Sequence, residues 1–359
     1  MPNWLSSMQQ TFEFYSVDPA TWRDDAMLEH VKSCTISWDS SAETLGSATI
    51  EADKVIGERY IRIYLVTIQN GIRERFPLGT FLVQTPTVGF DGKVSSISMD
   101  AYTPLLELKD SMPPLGYSIL KNTNVMDMAW SLCFENMRAP VIKTSASTTL
   151  NNDFVASLND SWLTYIRDLI SNANYQFGLD AEGTVLFEPV QDTASLQARW
   201  SFDDSNSSIL YPEVSIDRDL YGIPNVVEVV YSKGNGHFFS QVKNDNPDSP
   251  ISTVSRGREV VYRVSDPELG GSPTQEQVDA YANQLIRNLS SLEYKITYKH
   301  GYCPVRVGDA VYLNYRRAGL TNVKAKVINQ SIRCEPGCPV EETAVFTKDL
   351  WGGGTGEVV

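Results

Sequence analysis

The stretch from Val31 to Thr85 constrains the fold more than any other, because it reads as successive β-strands with no chemistry inside it. Val31 to Asp39 starts a strand, and Thr44 to Asp53 continues it after a turn. Tyr60 to Gln69 is a third, and Asn70-Gly71 turns it into a fourth. The Pro77-Leu78-Gly79 break then predicts a fifth. Val, Ile, Thr, Tyr and Phe alternate here with polar residues, and Asn-Gly and Asp-Gly punctuate them, the pattern of a sandwich or barrel. No nucleophile, metal cluster or phosphate loop interrupts the run. This part of the chain is built to pair strands, which points to assembly.

At 359 residues there is room for two or three domains of roughly 100–200 residues each. With 42% hydrophobic residues the chain can bury sizeable cores and is not a disordered tail. No window approaches the roughly 20 apolar residues of a membrane helix. Met1 to Gln10 lacks the basic start and apolar run of a secretory signal, so folding in a cytoplasm is expected. Cys34, Cys133, Cys303, Cys334 and Cys338 make an odd count without an export signal, which argues for reduced thiols. The net charge of −14 repels phosphate and argues against tight nucleic-acid binding. It would also suit a surface that DNA slides past, although solubility alone is the simpler account.

Three segments follow from the pattern. Residues 1–112 are a first β domain, closing with a hairpin turn at Phe90-Asp91-Gly92-Lys93 and a strand from Ser95 to Tyr102. Pro113-Pro114 marks a boundary. Residues 113–203 are an α+β insert. Val125, Met128, Ala129, Leu132 and Cys133 recur at helical spacing behind a Thr123 or Asn124 cap. Trp162, Tyr165, Ile166, Leu169 and Ile170 form a second stripe, and strands near Tyr175 and Thr184 flank the Asp180–Gly183 turn. Residues 204–353 return to β. They hold a long loop at 232–256 and one helix at 272–290, for which Ser272, Pro273 and Gln275 predict a capping box. Strands are expected at Asn225–Tyr231, Leu292–Tyr298, Ala310–Tyr315, Val323–Arg333 and Thr343–Thr347, and 354–359 form a flexible tail. Pro77-Leu-Gly-Thr-Phe-Leu-Val is echoed by Val305-Arg-Val-Gly-Asp-Ala-Val, which fits two similar β-barrels around the insert.

Candidate sites are sparse. His30, His237 and His300 form no HxxxH or HExxH spacing, and there is no Gly-x-Ser-x-Gly elbow. Cys334 and Cys338 flank the Pro336-Gly337 turn and read as half a zinc site with His300 and Cys303, a disulfide, or a hairpin tip with free thiols. Asp24-Asp25, Asp203-Asp204 and Glu341-Glu342 are adjacent acids that diverge in a strand, and solvated loops are the better reading. Lys54, Arg59, Arg62, Arg73 and Arg75, interleaved with Tyr60, Tyr64 and Phe76, have the texture of a nucleic-acid face. Glu51, Asp53, Glu58 and Glu74 offset that charge and favour an amphipathic sheet or a polar subunit interface. The Lys233-Gly-Asn-Gly run lacks phosphate-loop spacing and reads as loop punctuation. No catalytic, cofactor-binding or metal-binding residue is therefore assigned.

The order of three stretches resembles the hub proteins at the distal end of bacteriophage tails. They are Val31–Ile50 with Phe76–Pro86, then Ser161–Ile170 with Leu179–Pro189, then Gly222–Tyr231 with Gln277–Leu289 and Val307–Leu313. The resemblance implies a mainly β fold, two tube-like β-barrel domains flanking the α+β insert. It implies a homotrimer forming a pseudo-sixfold ring, because three copies must meet six contacts. The implied partners are a hexameric tail tube or distal tail protein, a tail spike or fibre, and the tape-measure protein. DNA would pass through unbound. The implied setting is the virion, assembled in the host cytoplasm, with no enzyme, cofactor or stable membrane insertion. Two other readings remain. One is a carbohydrate-binding tail-tip protein, favoured if Tyr315, Phe238 and Phe239 are exposed. The other is a cell-wall-acting enzyme, which the missing acid pair disfavours.

Overall fold

The computed structural model describes residues 2–350 except 91, 93–94, 219–221, 233–236, 268 and 270–273, with the side chains of 85, 95, 348 and 349 also set aside. The expected turn at 90–93 falls partly, and the Lys233–Gly236 run and the 354–359 tail wholly, outside the described residues. The backbone divides into two compact units. One holds the chain up to Glu213 together with Tyr298–Val311 and Val327–Thr343. The other holds Val214–Thr297, Tyr312–Lys326 and the chain from Ala344 on.

In the first unit, seven strands open the chain: β1 (Gln9–Asp18), β2 (Arg23–Met27), β3 (Val31–Asp39), β4 (Gly46–Ala52), β5 (Tyr60–Gln69), β6 (Ile72–Phe90) and β7 (Ser95–Tyr102). They pair in the order β2-β1-β5-β6-β7-β4-β3, antiparallel throughout. Asn70 and Gly71, both at positive φ, turn β5 into β6 as the sequence predicts. The two strands expected either side of Pro77 are instead one. The β5–β6 register slips from Ile63↔Gly79 to Tyr64↔Pro77, so Leu78 is an extra residue and Pro77 sits at the bulge, where a missing N–H is tolerated. Gly79 is required by contact, since a Cβ there would lie 2.4 Å from the Phe81 ring and 2.9 Å from Trp38. Its counterpart in the echoed motif, Gly308, is required by a φ of +96° with open space around it. The two motifs thus share letters for different physical reasons.

The insert contains α1 (Leu106–Asp110), β8 (Ser118–Ile119), α2 (Val125–Asn136), β9 (Phe154–Val155), α3 (Trp162–Ser171), β10 (Tyr175–Leu179) and β11 (Val185–Pro189). Asn124 caps α2 by accepting from Asp127 N, and Ser161 caps α3 by accepting from Thr164 N. Val125, Leu132, Ile166, Leu169, Ile170 and Val185 meet in one core separate from that of the strands. The strand core joins Ile36, Ile50, Ile61, Ile63, Leu65, Phe81 and Met99 to Val340 near the other end of the chain. Each such side chain contributes about 1.5–3 kcal/mol by leaving water.

The later elements are β12 (Ala198–Asp203), β13 (Leu210–Arg218), β14 (Val226–Tyr231), β15 (Phe238–Lys243), α4 (Thr253–Arg256), β16 (Val261–Ser265), α5 (Gln275–Leu289), β17 (Ser291–Gly301), β18 (Ala310–Asn314), β19 (Val323–Arg333) and β20 (Pro339–Asp349). In the first unit β19 continues the sheet onto β3, with Asn329↔Asp39 through Arg333↔Thr35. In the second unit β14 pairs antiparallel with β15 and parallel with β16. The stripe Val278, Ala282 and Ile286 of α5 packs on Val227, Val229 and Tyr231. The 232–256 segment, expected as a long loop, therefore carries β15 and α4. Phe238 and Val242 pack on that core, while Gln241 and Lys243 between and beside them stay exposed. The cap of α5 is Thr274, not Ser272. Thr274 Oγ1 accepts from Gln277 N and Thr274 N donates to Gln277 Oε1, the same box two residues later. The fold is mainly β with an α+β insert, as the sequence predicts. No strand pairing among the described residues closes the sheet into a ring.

Candidate functional site

The basic cluster of the first strands lies on β5 and β6, and β1 and β2 supply its partners. Arg62 is buried, and its guanidinium reaches four groups. Nη1 is 3.1 Å from Asp24 Oδ1, Nε donates to Thr80 Oγ1 at 3.0 Å, and Nη2 donates to the carbonyls of Trp22 and Glu182 at 3.3 and 3.0 Å. Tyr64 donates to the other Asp24 oxygen at 2.8 Å. Burial, and then that carboxylate, raise the Tyr64 phenol above its ordinary pKa. Arg75 stacks over the rings of Tyr64 and Tyr15 at 4.0 and 4.8 Å and pairs with Glu13 at 3.1 Å. Arg73 also pairs with Glu13. The arginines are thus answered inside the sheet, by Glu13 and Asp24 rather than by their neighbours in sequence. This is a polar, charge-matched sheet face and not a phosphate-binding one. Lys54 and Arg59 lie exposed on the loop before β5.

The acid pairs separate as strand geometry requires, but Asp24 is half-buried and Glu342 is fully buried. Asp24 belongs to the arginine network, while Asp25 accepts from Ser16 Oγ at 3.3 Å. Asp203 caps its own turn through Ser205. Glu341 faces Lys299 at 3.3 Å, whereas Glu342 is fully buried. Glu342 Oε2 accepts from Tyr298 at 2.6 Å and Oε1 from Gln330 Nε2 at 2.7 Å. His300 Nε2 lies 3.4 Å from Oε1, and its Nδ1 donates to the Gly301 carbonyl at 2.7 Å. Phe202 packs on both the Tyr298 and His300 rings. Burial first, then Glu342, hold the Tyr298 phenol well above its usual value. Tyr298, His300 and Glu342 are all buried within the unit. His30 and His237 are exposed on separate segments.

All five cysteines are buried thiols. Among the described residues no three His, Cys, Asp or Glu side chains converge to hold a metal. Cys303 lies 3.9 Å from His300 Nδ1, and Cys334 abuts Cys34. Of the aromatics weighed for glycan binding, Phe239 is exposed, Phe238 packs in the second unit's core and Tyr315 is half-buried. Large apolar side chains do stand exposed on the insert and just before it, at Met112, Leu115, Leu120, Val155 and Leu158. Sequence reading missed these, because burial and exposure are not legible in short segments such as β9 and the loops around it. Among the described residues no helix is long and apolar enough to cross a membrane.

No family model and no curated protein matches the chain. Solved structures do. A tail protein from Neisseria meningitidis MC58 aligns over 96% of this chain and 98% of its own, with a TM-score of 0.62 at 11% identity. The chain has the fold of a tail protein. The 43 kDa tail protein of prophage MuSo2 from Shewanella oneidensis aligns over 93% of this chain and 98% of its own, with a TM-score of 0.61 at 10% identity. At identity this low the likeness is one of architecture.

Proposed function

We propose that the chain is a structural protein of a phage tail, a hub at its distal end, and not an enzyme. Three copies form a pseudo-sixfold ring to which each contributes two tube-like β domains. The ring joins a hexameric tail tube or distal tail protein to a spike or fibre. The tape-measure protein and then the genome pass through its bore. The protein is assembled in the host cytoplasm and resides in the virion. The observation that carries this reading is the end-to-end likeness to tail proteins, which spans both units and the insert. The net charge of −14 supports it, since an acidic bore does not hold DNA. Light scattering on the purified chain tests the reading. A mass near three times the 40.0 kDa chain is expected, and a monomer at every concentration up to the solubility limit would contradict it.

A further inference from the structure

We infer that Cys34 and Cys334 are a thiol-oxidation site, closing into a cross-strand disulfide in the presence of a small disulfide oxidant. The antiparallel register of β3 and β19 ends at Arg333↔Thr35, and one further step sets Cys334 opposite Cys34. Cys334 N donates to Cys34 O at 2.8 Å, which makes the two a hydrogen-bonded pair. Directly opposed residues of that kind have Cα atoms about 5.5 Å apart. Disulfides span roughly 4.4–6.8 Å between Cα atoms, a range that includes this spacing. Opposed residues share a sheet face, and both side chains lie in the same core. The neighbouring Cys34 thiol, together with burial, holds Cys334 protonated above its usual range. In the sequence, Cys338 is the nearer candidate partner for Cys334. Cys338, however, closes a tight turn through its N–H to Glu335 O and sits at a φ of 40°.

With oxidised glutathione as oxidant, one protein thiolate attacks a glutathione sulfur, releasing one glutathione thiolate and leaving a mixed disulfide. The second protein thiolate then attacks the protein sulfur of that adduct and expels the other glutathione. The protein loses two protons and two electrons, and one glutathione disulfide becomes two thiols. Because both sulfurs are buried, the reaction waits on local opening of the 334–338 turn and is slow. The inference stands apart from the tail reading and survives its failure.

The test incubates the native full chain with oxidised glutathione, alkylates the remaining thiols in denaturant and maps the peptides by mass. A Cys34–Cys334 linked peptide is expected, retained in Cys338→Ala. The melting temperature should exceed that of the reduced protein by roughly 5–15 °C, because the bond restricts a very long denatured loop. No link after prolonged incubation, a link from Cys334 to Cys338, or a glutathione adduct that never resolves would each overturn the inference.

Discussion

Arg62 and Glu342 are both ionisable side chains buried in the first unit, and the chain accommodates them in opposite ways. Arg62 faces the full negative charge of Asp24, with Thr80 and two carbonyls taking its other N–H groups. Glu342 is met instead by the hydroxyl of Tyr298 and the amide of Gln330, with the His300 ring alongside. The first site ties two strands and the Glu182 turn together through charge. The second is a cage on β17, β19 and β20 in which a hydroxyl and an amide, both neutral, donate to the carboxylate. A buried ion pair is costly to halve, because the surviving partner is left charged and desolvated. A donor cage loses less, since what it leaves behind are dipoles.

Substitutions can break that contrast. Arg62→Ala should cost about 3–4 kcal/mol, because a buried side chain is removed, Thr80 and two carbonyls lose their donor, and the half-buried Asp24 loses its nearest cation. Urea denaturation measures this, and Arg62→Ala combined with Asp24→Asn should recover part of the loss. Glu342→Ala should cost less, about 2–3 kcal/mol, from stranding the Tyr298 and Gln330 donors and opening a small cavity. If Glu342→Ala proves the more damaging of the two, the contrast is wrong. Arg75→Ala should cost only about 1 kcal/mol, since its ion pair and ring stacking are partly exposed and screened.

The mildest test leaves the protein unsubstituted. The Tyr298 phenol is raised above its ordinary 10.0, so it remains protonated as pH passes 10. Its folded value exceeds the unfolded one. Its contribution to stability is therefore complete below pH 10 and is lost as pH climbs toward the folded value. Absorbance titration of the native protein should show a tyrosine fraction that ionises only on alkaline unfolding, and Tyr298→Phe should reduce that fraction.

How much of this was legible in the sequence differs between local and cross-strand features. The Asn70-Gly71 turn, the stripes of α2 and α3 and the strands β3 to β5 could be read directly, because local period and turn chemistry specify them. Strands β1 and β15 carry the same alternation, in Phe12-Glu13-Phe14 and Phe238 to Val242, and were passed over because polar residues surround them. The capping box of α5 was found in pattern and misplaced by two residues, since Ser272 and Thr274 both head an S/T-x-x-Q. What could not be read was partnership across strands. Nothing in the spacing says that Arg62 meets Asp24, that Glu342 meets Tyr298, or that Cys334 faces Cys34. Those pairs are 38, 44 and 300 positions apart and exist only once register is set. The same holds for the functional reading, which rests on the order of elements rather than on any motif.

The central claim is that this chain builds a ring. Electron microscopy of the purified full chain, with class averages computed without imposed symmetry, tests it most directly. Ring-shaped particles of three copies with a central hole and six similar lobes are expected. Compact single-chain particles at the highest soluble concentration, with no ring in any class, would contradict it.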